Sequence, residues 1–169
     1  MEGFEADDLI ATYSNIAKKT NKKFIIISSD KDLMQLVDDN TILFDPMKQY
    51  WINDEQVFEK FGVYPSKVID VQSLAGDSSD NIPGVPGIGV KTAAELINQY
   101  GDLEQLLTRA TEIKQNKRRE NLIEYADQAR LSRSLVTLKK DVPVNSKIDE
   151  FKINSILELN KLIPFLKAH

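Results

Sequence analysis

The run GDSSDNIPGVPGIGVKTA, residues 76–93, restricts the fold of this chain more than any other stretch. Glycine and proline nearly alternate from Pro83 to Gly89. Proline fixes φ and removes a donor, whereas glycine enters positive φ freely, so this backbone is neither helix interior nor central strand. The following VKTAAELINQYG has apolar residues at helical spacing and closes on Gly101, a common stop just past a helix. PGIGVKTA therefore predicts a tight turn opening a helix, the pattern of a helix-hairpin-helix. Gly84, Gly87, Ile88, Gly89, Val90, Lys91 and Thr92 form its candidate contact set. Glycines at 87 and 89 leave room for a phosphate, the first helical N–H groups and the dipole attract an anion, and Lys91 and Thr92 add a charge and a hydroxyl. Such contacts hold a sugar-phosphate backbone without reading bases. The competing reading is a Gly-Pro loop that merely caps a helix.

Three acidic clusters stand at junctions: Glu5, Asp7 and Asp8 in EADD; Asp30 and Asp32 in SSDKDL; Asp77 and Asp80 in GDSSD. Each has a plain explanation, because acids favour the first turn of a helix and aspartate favours caps and turns. Brought together, however, such carboxylates repel and must protonate or share a cation. Oxygen-only ligands suit Mg²⁺ or Mn²⁺ rather than zinc, and two such ions form the clamp used in phosphodiester hydrolysis. Other catalytic schemes find little support. The only histidine is the terminal His169, there is no cysteine, and Ser28, Ser29, Ser78 and Ser79 lack an evident base. Tyr50 and Trp51 read as strand packing.

A net charge of −4 hides a gradient: residues 1–80 carry 15 acidic and 8 basic side chains, whereas 109–140 carry 9 basic and 4 acidic. That asymmetry suits a cation-collecting pocket and a separate phosphate-facing surface, although charge also fluctuates along ordinary chains. No apolar run approaches the ~20 residues that span a bilayer. A cytoplasmic, nucleoid-associated protein with no membrane partner is expected.

Periodicity predicts a helix over roughly 5–19, a strand at 24–28 covered on both faces, a helix at DLMQLV, a strand at TILFD and a turn into YWI. From residue 54 the pattern is helical, with DEQVFEKFG, PSKVIDVQSLAG, DLEQLL, a long basic helix from about 116 to 138, and a mostly helical last segment INSILELNKLIPFLKAH. Two regions follow: 1–75, the α/β part carrying the carboxylates, and 76–169, a helical part carrying the hairpin. Only two strands are convincing before the chain turns helical, and an N-terminal piece of the sheet is expected to be missing.

The stretches GFEADDLIAT, SSDKDLMQLV, FGVYPSKVIDVQSLAGDSSDNIPGVPGIGVKTAAELI and ARLSRSLVTLKKDVPV resemble, in order and spacing, the 5′ nuclease (flap endonuclease) superfamily. The match is closest to the 5′→3′ exonuclease domain of bacterial DNA polymerase I. The resemblance implies a parallel-sheet, PIN-like α/β nuclease core, here N-terminally incomplete, followed by a helical part with a helix–three-turn–helix element. It implies two divalent cations, with Glu5, Asp7 and Asp8 toward the first and Asp30, Asp32, Asp77 and Asp80 toward the second, and a K⁺ on hairpin carbonyls. It implies cleavage of nicked or flapped duplex DNA in replication and repair, with a missing N-terminal nuclease fragment or the rest of DNA polymerase I as partner. A catalytically incomplete fragment that binds duplex DNA without sequence preference is the alternative, and an RNA-directed nuclease a more distant one.

Overall fold

The computed structural model describes residues 2–145, 147–151 and 167. Helix α1 spans Ala6–Lys19, with Asp7 and Asp8 in its first turn and Lys18 and Lys19 in its last, both favourable to the helix dipole. Strand β1, Phe24–Ile27, pairs in parallel with β2, Thr41–Asp45, which pairs antiparallel with β3, Tyr50–Ile52. The parallel pairing needs a crossover. Residues 28–40 supply it, and within them Asp32–Leu36 wind as a short 3₁₀ helix rather than the expected α-helix. Leu33, Met34, Gln35 and Leu36 are all buried in that turn, which leaves no room for a longer amphipathic helix with a wet face.

Alternation along the strands sends Ile26, Leu43 and Ile52, neighbours in register, into the core beneath α1 and α2 (Asp54–Phe61). The opposite face is open: Ile25 is 56% exposed and Ile27 70%. The expectation of a strand covered on both faces is thus corrected, because among the described residues no helix lies over that side. There Phe44 and Trp51 pack at a tilt with centroids 4.9 Å apart, which accounts for Trp51 as sheet packing. The third strand, too short to stand out in the sequence, is fixed by the turn after β2, where Asp45 Oδ1 accepts from the N–H groups of Met47 (2.9 Å) and Lys48 (3.1 Å).

The helical part is built around α3, Val68–Ala75, which packs against α4, Val90–Tyr100, and α7, Ala126–Val136. Helices α5, Leu103–Thr108, and α6, Asn116–Glu124, complete it. The long basic helix expected over 116–138 is two helices that break at Tyr125 (φ −102°, ψ 21°). The break lets Leu122 on α6 and Ala129 on α7 both reach the core. The last segment, 152–169, lies outside the described residues except for Lys167.

After α7 the chain returns to α1 and the 3₁₀ turn and is stitched there. Lys139 N–H donates to Asp8 Oδ1 (2.8 Å), Val142 N–H to Thr12 Oγ1 (3.1 Å), and Asn15 Nδ2 to the Lys140 carbonyl (3.0 Å). Buried Gln35 donates to the Val136 carbonyl (2.9 Å) and accepts from Leu138 N–H (3.2 Å). Among the described residues no helix is long and apolar enough to cross a membrane.

Candidate active site

The three acidic clusters arrive from α1, from the crossover after β1, and from the loop after α3. Glu5 caps α1 in extended backbone (φ −85°, ψ 164°). Burial raises the Asp7 carboxyl above its ordinary range, and Asp30, Asp32, Glu5 and Asp8 add to the rise, so the start of α1 faces the 30–32 turn. Asp8 is occupied differently: its two oxygens accept backbone N–H groups, from Glu5 (3.3 Å) and Lys139 (2.8 Å). Asp30 Oδ1 accepts from Asp32 N–H (2.9 Å), which sets the turn between these two acids.

Asp32 is half-buried. Burial raises its carboxyl, Gln72 Nε2 on α3 donates to it at 2.6 Å and opposes that rise, and Asp30 and Asp80 push it upward again. Burial alone would also raise Asp77, but the Lys31 ammonium and the Ser79 hydroxyl and N–H outweigh it, and the carboxyl lies below its ordinary range. Asp80 is exposed at the rim. Asp32, Asp77 and Asp80 each offer an oxygen within 4.8 Å of the other two, close enough for one cation to bridge. The donors are all hard oxygens, and among the described residues Lys31 is the cation that pairs with the three carboxylates, so this cluster fits a small divalent cation.

Two contributors escaped the sequence reading. Lys31, between Asp30 and Asp32, pairs with Asp77 and feels Asp32 and Asp80 as well. Gln72 is a buried amide in an apolar helix, and that mismatch in VIDVQSLAG is the signal that could have found it.

The hairpin is fastened directly to this cluster. Gly76 ends α3 at φ +70°, and Asp77 and Ile82 then exchange two backbone bonds (2.9 and 2.7 Å) around the turn that carries Asp80. Gly84 packs back onto Gly76: a Cβ on Gly84 would lie 2.4 Å from Gly76 N and 2.6 Å from the Ala75 carbonyl carbon. From there Val85 N–H reaches the Leu74 carbonyl (2.7 Å), Gly84 N–H reaches Ser132 Oγ (3.1 Å), and Gln128 Nε2 holds the Gly84 carbonyl (2.6 Å). Asn121 Nδ2 holds the Pro86 carbonyl (2.7 Å). Val85 and Ile88 sit in the core, so Ile88 anchors the turn while Gly87 and Gly89 lie on the surface.

Gly89 begins α4 with no capping side chain, and the first helical bond there runs from Ala93 N–H to the Gly89 carbonyl (2.9 Å). The N–H groups of Val90, Lys91 and Thr92 precede that bond and have no intrahelical acceptor. Val90 and Lys91 are exposed, Thr92 half-buried, and nothing lies within 4 Å of where a Cβ on Gly89 would stand.

Two family models account for almost all of the chain. Residues 1–62 match the 5′-3′ exonuclease N-terminal resolvase-like domain, and residues 63–158 the 5′-3′ exonuclease C-terminal SAM fold. The chain belongs to the 5′-3′ exonuclease family. Among its relatives in that family, DNA polymerase I of Rhizobium leguminosarum is 55% identical over 99% of this chain, which covers 16% of that protein. The 5′-3′ exonuclease of Buchnera aphidicola (subsp. Acyrthosiphon pisum) is 36% identical over 94% of this chain, which covers 57% of it. The chain thus spans between a sixth and somewhat over half of these relatives. Among solved structures, T5 5′-exonuclease with bound zinc is similar at 26% identity and a TM-score of 0.74, over 80% of this chain and 51% of that one.

Proposed function

We propose that this chain carries the hydrolytic carboxylates and the duplex grip of a divalent-cation-dependent 5′ nuclease acting on nicked or flapped DNA. The observation that carries the proposal is the joining of Asp32, Asp77 and Asp80, within one cation's reach, to the open N-terminus of α4 through the Asp77–Ile82 bridge and the Gly76–Gly84 contact. Family relatives named 5′-3′ exonuclease and flap endonuclease, and a zinc-bound neighbour, support the same reading.

In this proposal residues 1–75 supply Glu5, Asp7, Asp8, Asp30 and Asp32, and residues 76–169 supply Asp77, Asp80 and the grip. Asp32, Asp77 and Asp80 hold one Mg²⁺ or Mn²⁺, with Asp30 alongside; Asp7 and Glu5, with Asp8 behind them, face a second. When bound, the cations lower the pKa of a coordinated water and neutralise charge on the phosphate. The chain's own work is geometric. Gln72 orients Asp32, Ser79 orients Asp77, and the Lys139 amide keeps Asp8 turned toward the backbone. Lys91, Thr92 and the amides from Gly87 to Thr92 hold phosphodiesters away from the cleavage point without reading bases. A K⁺ at the hairpin would sit on its carbonyl oxygens, of which those of Gly84 and Pro86 each already accept one amide N–H. The remainder of a DNA polymerase I, of which relatives are part, is the proposed covalent or functional partner.

Asp30→Ala tests the assignment. Cleavage of a 5′-flapped duplex in Mg²⁺ is expected to vanish, while affinity for the same duplex in Ca²⁺ is retained. Cleavage undiminished by the substitution refutes the assignment of these carboxylates, and loss of Ca²⁺ affinity to the same degree assigns Asp30 to the grip instead.

A further inference from the structure

Lys31 stands where the preceding reading needs room for a cation. Its ammonium is in contact with Asp77 Oδ2, on a carboxylate whose side chain is only 7% exposed. Asp77 Oδ1 is already occupied, accepting from the Ser79 N–H (3.0 Å) and the Ser79 hydroxyl. Oδ2 is therefore the oxygen left to face a cation, and apart from the Lys31 ion pair it has no hydrogen-bond partner among the described residues. The same carboxylate lies within 4.8 Å, oxygen to oxygen, of Asp32 and Asp80, so the ammonium sits against the set of acids that a cation would share.

Two positive charges cannot share one part-buried oxygen without strong repulsion. Lys31 must leave Asp77 Oδ2 when a cation binds there, and it has somewhere to go. Its side chain is 35% exposed and carries the charge on a flexible aliphatic stem. Its backbone, at the N-cap of the 3₁₀ turn between Asp30 and Asp32, keeps the freed ammonium beside the cluster. The counter-charge that the preceding reading brings to this place is a phosphate of the DNA backbone.

We infer that Lys31 exchanges partners: it holds Asp77 in the free protein and passes to a DNA phosphate once a cation takes its place on the carboxylates. The inference rests on the cation and DNA-binding reading and deepens it, adding a phosphate ligand from within the acid cluster that becomes available only with the cation present. Release of Lys31 by the cation favours DNA, and by linkage DNA favours the cation to the same degree.

The test measures binding of a flapped duplex by fluorescence anisotropy over a series of KCl concentrations, once in Ca²⁺ and once in EDTA, with the 169-residue chain and its variants. In Ca²⁺, Lys31→Met should make the log–log salt slope shallower by about 0.9, the share of one phosphate contact. In EDTA it should leave the slope unchanged, because there Asp77 holds the ammonium of the unsubstituted protein. Lys31→Arg should keep the original slope in both. Lys19→Met is the control: it removes the same charge from the last turn of α1, about 20 Å along the helix axis from the acids at its start. Calorimetry without DNA reads the other half of the exchange, and Lys31→Met should raise Ca²⁺ affinity about tenfold, since no charged hydrogen bond then has to be broken. A slope loss equal in Ca²⁺ and EDTA, absent from both, or shared by Lys19→Met refutes the exchange, while a raised Ca²⁺ affinity still keeps the cation on these carboxylates. Unchanged Ca²⁺ affinity places the cation elsewhere, and the cation reading itself then falls together with the exchange.

Discussion

Gly84→Ala is expected to be the most damaging single-methyl change in the hairpin, and Gly87→Ala measures why. Both glycines have positive φ, +60° and +77°, so alanine at either position incurs about 1–2 kcal/mol of left-handed backbone strain. They differ in the space available. At Gly87 the nearest atom to a new Cβ is Asn121 Nδ2 at 3.7 Å, ordinary contact, whereas at Gly84 the Cβ lands 2.4 Å from backbone nitrogen of Gly76. Relieving that overlap means separating two backbone segments by about an ångström, an overpacking cost of about 1–3 kcal/mol. Gly84→Ala therefore loses about 2–5 kcal/mol in total and Gly87→Ala about 1–2 kcal/mol. For a chain of this size that corresponds to falls of about 4–20 °C and about 2–8 °C in Tm. Thermal unfolding followed by circular dichroism, with urea midpoints as a check on equal m-values, reads both. Equal losses for the two variants would refute the argument, since only the Gly76–Gly84 contact distinguishes them.

Other outcomes follow from single contacts. Gln35→Leu removes both bonds to the exit of α7 and strands a buried carbonyl and N–H, so it should cost about 2–3 kcal/mol in urea denaturation. Lys31→Met removes the ammonium among Asp32, Asp77 and Asp80, and calorimetric Ca²⁺ affinity should rise about tenfold, or about 1.4 kcal/mol; unchanged affinity would place the cation elsewhere. Asp70 lies buried, and burial holds its carboxyl above the ordinary 3.8 despite Arg133. The folded state therefore binds this proton more tightly than the unfolded state, and stability from this group grows as pH falls from the raised value toward 3.8. Compared with Asp70→Asn at each pH, the unsubstituted protein should gain stability on acidification from pH 7, and a flat difference would contradict the shift.

The elements most legible in the sequence were those with strong local chemistry. The hairpin was readable because Gly76, Gly84 and Gly87 need positive φ and because VKTAAELI is plainly amphipathic. The three acid clusters were readable as clusters, but their meeting was not, since it depends on α3 bringing Gln72 and Asp77 against a turn about 40 residues earlier. The division of labour among the acids was equally hidden: nothing in EADD separates Asp7, left facing other carboxylates, from Asp8, tied to an amide 131 residues on. Misjudged elements were those that tertiary packing overrides. FIII is apolar at every position, yet only Ile26 is buried, and the basic run after 116 bends at Tyr125 to satisfy a core that periodicity alone does not show.

The stitching of residues 136–142 onto α1 has a consequence for how the protein matures. Asp8, Thr12 and Gln35 receive their partners from more than 100 residues downstream. Contacts of such long sequence separation form late, and a chain emerging from the ribosome holds its first acids long before it holds the segment that sets them. The acid-bearing end of α1 is thus set in place only after residues 136–142 have been synthesised, so a half-made chain carries these carboxylates without the contacts that position them.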